Sequence, residues 1–85
     1  MKALLFRQFG GPEVLRYEDV ADPKIGPGEV LVKVRAVALN HLDLWVRNGL
    51  PALQTPLPFW TGSDVAGDVL EVGAGVEGVK VGDRV

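Results

Sequence analysis

The sequence predicts a mainly β fold with one short helix, and three observations carry that reading. Val30, Val32, Val34, Ala36 and Ala38 fall on one face of an extended segment while Lys33 and Arg35 fall on the other, the period-two alternation of a strand. Gly and Pro clusters at Gly10-Gly11-Pro12, at Asp22 to Gly28 and at Pro51, Pro56 and Pro58 cut the rest of the chain into short segments. A single helical signature, Asn40 to Gly49, lies between the alternating strand and the phrase Gly62-Ser63-Asp64-Val65-Ala66-Gly67.

Taken in order, Lys2 to Gln8 and Val14 to Val20 are half-apolar segments on either side of a Gly-Gly-Pro break, and together they predict a hairpin. A Pro and Gly loop over 22–28 leads into the alternating strand. Asn40 then stands where an N-cap belongs, and Asp43 can return a hydrogen bond to the cap's own N–H as in a capping box. Leu42, Trp45 and Val46 are spaced i, i+3, i+4 and predict the apolar stripe of a helix of about two turns, which Gly49 suits the positive-φ position to end. Arg47 reads as a surface partner for an acid. The prolines keep the next segment extended, and 65–72 reads as a strand in which Gly67 marks a bulge or a close backbone approach. Gly82-Asp83-Arg84-Val85 reads as a turn entering a further strand, so the chain is expected to be a piece of something longer. Four to six short strands are expected, and closure into a small barrel would remove the edges they otherwise expose.

Eighty-five residues make one small domain, spanning 1–85. A chain of this length buries about 60 to 65% of the surface its unfolded form exposes, so a partner domain or subunit would help stabilise it. With 47% hydrophobic and 24% charged residues the composition is that of a globular protein. The net charge of −2, with nine Lys and Arg scattered among eleven acids, leaves no basic footprint for nucleic acid. No apolar run approaches the roughly 20 residues that span a bilayer. Lys2 and Arg7 interrupt the first apolar stretch too early for a signal peptide, so the cytoplasm is the expected location. Without cysteine there is no disulfide and no thiolate zinc site, and the single His41 cannot hold a metal alone. No metal ligands are expected.

Gly73-Ala74-Gly75-Val76-Glu77-Gly78 matches the G-x-G-x-x-G phosphate fingerprint by its letters but not by its setting. A fingerprint opens a helix whose N-terminus holds a pyrophosphate, whereas Val79-Lys80-Val81-Gly82 is β-branched and glycine-broken, so a turn between strands is expected.

Polar groups gathered where a strand ends and a helix begins mark a candidate site, because such groups cost free energy to bury unless something there uses them. Here they are Asn40, His41 and Asp43, with Ser63 and Asp64 further along. Structural roles are also available: Asn40 and Asp43 as caps, His41 as a surface or structural group, Trp45 as core or interface filler, Asp64 as a cap or a bridge to backbone amides.

Four phrases in order, Gly11-Pro12-Glu13-Val14-Leu15, Pro27-Gly28-Glu29-Val30-Leu31-Val32, Asn40 to Gly49, and Gly62-Ser63-Asp64-Val65-Ala66-Gly67 leading to Val81-Gly82-Asp83-Arg84-Val85, give a resemblance over nearly the whole chain. The chain resembles the N-terminal, GroES-like part of the medium-chain dehydrogenase/reductase superfamily, which implies a partly open β-barrel with one short helix. Zinc alcohol dehydrogenases of that superfamily carry a cysteine ligand at the helix start and a His followed by Glu at the second metal position. Asn40 and Ser63-Asp64 occupy those places here, and Leu42 stands where a proton-relaying hydroxyl would be. Amide and hydroxyl oxygens bind Zn²⁺ poorly beside thiolate and imidazole.

What remains resembles the zinc-free quinone and enoyl reductases, which implies hydride delivery from NAD(P)H to a quinone or an α,β-unsaturated carbonyl. On that resemblance Asn40 and Asp43 are the catalytic residues, Asn40 contacting cofactor or substrate and Asp43 fixing the helix start, and His41 meets the cofactor pyrophosphate. Trp45 walls the substrate pocket, with Ser63 and Asp64 opposite. It further implies a nucleotide-binding domain outside these residues, a small-molecule substrate, and a homodimer or tetramer of the full-length protein. The 85 residues alone are then expected to bind no cofactor and to catalyse nothing. A zinc-type alcohol dehydrogenase relative with ligands outside these residues, and a free-standing GroES-like adaptor, are the competing readings.

Overall fold

The computed structural model describes residues 1–85 and contains four strands and one α-helix: β1 (Lys2–Leu5), β2 (Arg16–Asp19), β3 (Val30–Ala38), α1 (His41–Asn48) and β4 (Asp64–Val72), with a 3-10 turn at Pro12–Val14 between β1 and β2. The strands form two separate antiparallel pairs, β1 with β2 and β3 with β4, so neither sheet closes on itself. No helix is long and apolar enough to cross a membrane. The chain divides into two compact units, each built from two stretches: Met1–Ala21 with Leu39–Ser63, and Asp22–Ala38 with Asp64–Val85.

In the first unit the expected hairpin forms with Lys2 opposite Asp19 and Leu5 opposite Arg16. Its outer face carries charge pairs, Lys2 Nζ to Asp19 Oδ2 at 2.9 Å and Arg7 to Glu18 at 2.7 Å. Both are solvated and contribute little to stability. The inner side leads to Phe6, which is fully buried against Val14 and Val46, with Leu15, Leu50 and Phe59 packed around them. Phe6 and Phe59 exchange both backbone hydrogen bonds, at 2.9 and 3.0 Å, while their rings meet edge to face at 6.2 Å. The sequence placed a half-buried segment here. The two-residue bridge that pins Phe59 to it pairs residues far apart in the chain, so no local pattern announces it.

In the second unit β3 and β4 pair over their whole length with two irregularities. Leu31 faces Glu71 and Val32 faces Val69, so Leu70 is an extra residue on β4; Val34 faces Gly67 and Ala36 faces Ala66, so Arg35 is an extra residue on β3. These bulges break the clean two-sided strand expected for 30–38, and Val34 and Val37 are 56% and 70% exposed. The close approach expected at Gly67 is present, since a Cβ there would lie 2.2 Å from the Lys33 carbonyl oxygen. Asp83 to Val85 run along β4, with Gly67 and Val85 exchanging hydrogen bonds at 2.9 Å, in keeping with the expected start of a strand.

The Gly73 to Gly78 segment is a turn. Gly73 N–H donates to the Glu29 carbonyl at 2.8 Å and Gly28 N–H to the Ala74 carbonyl at 2.9 Å, which ties the segment to the loop before β3; no helix follows it.

Candidate functional site at the start of the helix

Helix α1 begins where the sequence places it. Asn40 keeps extended dihedrals (φ −125°, ψ 155°) and forms a capping box with Asp43. Its N–H donates to Asp43 Oδ2 at 2.9 Å, and its carbonyl accepts the Asp43 N–H at 3.0 Å. At the other end Gly49 takes φ 95°, and its N–H closes the last turn on the Val46 carbonyl at 3.1 Å.

The buried face of the helix is not the stripe predicted from spacing. Val46 is buried, but Leu42 and Trp45 are 41% and 50% exposed, and Asp43 is 7% exposed. A carboxylate tolerates such a position only with donors on its oxygens. Asp43 has one on each: the Asn40 N–H on Oδ2, and the Thr61 hydroxyl, which donates to Oδ1 at 2.7 Å. These two hydrogen bonds, the backbone one foremost, hold the Asp43 carboxyl below the usual carboxylate range. Asp43 is therefore an ionised support at neutral pH, with no proton to give. Burial follows the contacts with Phe6 and Thr61, which lie far off in sequence, and the apolar spacing along the helix does not decide it.

Arg47 differs from its expectation as well. Its Nε donates to the Gly10 carbonyl at 3.1 Å, and Gly10 N–H returns a bond to the Arg47 carbonyl at 3.0 Å. Near the helix C-terminus a backbone carbonyl satisfies the guanidinium and docks the loop before the 3-10 turn, so Arg47 serves as a clasp and not as one half of a surface ion pair.

His41 is exposed on the first turn, and its ring sits edge-on to Trp45 at 4.9 Å with an interplanar angle of 71°. The first turns of the helix thus present His41 and Trp45, with the N-cap Asn40, at the surface beside the buried Asp43. Ser63 and Asp64 are also exposed; Ser63 ends the first unit, and Asp64 opens β4 opposite Ala38. No group of three or more His, Cys, Asp or Glu side chains is close enough to hold a metal ion.

Thr61 is the residue that sequence reasoning passes over. It stands 18 positions from Asp43, with no periodic relation to it. The one available signal is an accounting of donors: a buried carboxylate with a single capping N–H needs a second partner.

Residues 26–85 match the alcohol dehydrogenase GroES-like domain. Over 99% of its length the chain is 48% identical to a quinone oxidoreductase of Pseudomonas aeruginosa, and over its whole length it is 44% identical to an NAD-dependent alcohol dehydrogenase of Sulfolobus acidocaldarius. It spans about a quarter, 26%, of each of these curated relatives. Among solved structures, that of Escherichia coli quinone oxidoreductase complexed with NADPH superposes with a TM-score of 0.90 at 34% identity, covering 99% of this chain and 26% of that one. Motifs, fold and relatives agree, and the chain belongs to the alcohol dehydrogenase GroES-like domain family of the medium-chain dehydrogenase/reductase superfamily.

Proposed function

We propose that this domain is the substrate side of a zinc-independent, NAD(P)H-dependent reductase that delivers hydride to a quinone or an α,β-unsaturated carbonyl. The observation that carries the reading is the chemistry of the helix start: Asn40 and His41 stand exposed as hydrogen-bond donors, Asp43 is consumed in supporting the cap, and exposed Ser63 stands where the resemblance puts the second metal position. An amide and a hydroxyl make weak zinc ligands and good hydrogen-bond partners for a carbonyl or a carboxamide.

That donor set fits a reduced dinucleotide. Asn40 and His41 would hold it, through the nicotinamide end and the pyrophosphate respectively, whereas the Gly73 to Gly78 turn lacks the helix that a pyrophosphate needs. When bound, the cofactor supplies the hydride. The residues of this chain orient and polarise. Asn40 donates its side-chain amide to the oxygen on which negative charge develops, and Trp45 gives a flat apolar wall for the acceptor. Ser63, in the same unit as the helix, would contribute a hydroxyl to the substrate pocket. Asp43 keeps the helix start in register and touches no reactant. Such acceptors are already electrophilic, so no Lewis acid is required. The nucleotide-binding domain, assembly as a homodimer or tetramer, and a cytoplasmic location complete the proposal.

The test uses the full-length protein. Oxidation of NADPH or NADH by a quinone or an enone should persist unchanged in EDTA. Alcohol oxidation that is lost in EDTA and restored by zinc would overturn the assignment in favour of the zinc-type alcohol dehydrogenases.

A further inference from the structure

A side-chain hydrogen bond from Thr61 to Asp43 joins the helix start to the segment before β4. Its geometry is short at 2.7 Å, its acceptor is buried, and the other oxygen of that acceptor already holds the N–H of Asn40 at 2.9 Å. The three groups form a relay, in which the Thr61 hydroxyl fixes the Asp43 carboxylate and the carboxylate fixes the Asn40 backbone.

We infer that Thr61 is a positioning residue for the reaction, setting through Asp43 the backbone from which the Asn40 side chain and His41 reach a ligand. The inference rests on the reductase reading for its kinetic consequence but not for its structural one. With the hydroxyl removed, Oδ1 loses its donor and the carboxylate is left held from one side, free to rotate toward water. The cap then loosens, and Asn40 samples orientations that do not meet the substrate oxygen. Thr61 acts through Asp43, so the loss falls on the chemical step more than on affinity.

In the full-length protein, Thr61→Val should lower kcat with a quinone about tenfold and change KM little, while Thr61→Ser restores kcat to within about twofold. Amide hydrogen exchange at Asn40 should quicken about tenfold in Thr61→Val and stay at the parent rate in Thr61→Ser. Should Thr61→Val not fold, Thr61→Ala is read in the same two ways. An Asn40 amide that keeps its protection without the hydroxyl would overturn the inference, and so would a Thr61→Ser variant as slow as Thr61→Val. If the parent protein reduces neither quinone nor enone, the reductase reading falls, and exchange at Asn40 still decides the role of Thr61.

Discussion

The two units of the chain hold themselves together by different means. The first is organised round an aromatic centre, with Phe6 wholly buried among Val14, Val46 and Phe59. The second is a two-stranded ladder in which Val69, at 1% exposure, is the one buried large side chain, and Val34, Val37 and Val65 stand more than half exposed. Side-chain burial carries the first unit, while the second relies on backbone pairing and on a glycine that lets two strands come close. The helix-start residues of the candidate site belong to the unit with the core: Asn40 and His41 are presented by a helix whose other side packs through Val46 on the Phe6 cluster.

That contrast makes its strongest prediction at Phe6. Phe6→Ala empties the centre of the first unit and should cost about 3 to 5 kcal/mol in chemical unfolding. Amide exchange should quicken first in β1, β2 and α1; equal acceleration in β3 and β4 would show that the two units unfold as one and would break the distinction. Gly67→Ala tests the other unit. A Cβ placed 2.2 Å from the Lys33 carbonyl forces the strands apart, with an expected loss of about 1 to 3 kcal/mol felt mainly as faster exchange in β3 and β4. An unchanged midpoint would mean that the ladder yields freely at that point.

The smallest effect is confined to acid. The Asp43 and Glu18 carboxyls are both held below their ordinary values, the first by the Asn40 N–H and Thr61, the second by Arg7. A depressed carboxylate pKa adds stability that is fully present above the unfolded-state value, near 4, and that disappears as pH falls through the lower folded-state value. The unfolding midpoint should therefore be flat from neutral pH down to about 5 and decline below about 4, with a shallower decline in Asp43→Asn. A decline of the same slope in that variant would remove Asp43 from the account.

Local chemistry was legible in the chain as written. The capping pair Asn40 and Asp43, the positive φ at Gly49, the close approach at Gly67 and the glycine turn over 73–78 each depend on residues a few positions apart, or on the missing side chain of a glycine, so spacing alone determines them. The family was legible for the same reason, since its phrases are such local solutions in a set order. Only the tertiary structure decided which face of the helix is buried, because that depends on where Phe6 and Thr61 arrive from distant parts of the chain. It likewise sent Arg47 to the Gly10 carbonyl, 37 residues away, and inserted the extra residues Arg35 and Leu70 that spoil the alternation of β3 and β4. Periodicity records what a segment can present to a neighbour. Which neighbour comes, and which of its groups still lacks a partner, is settled only when the chain has closed on itself.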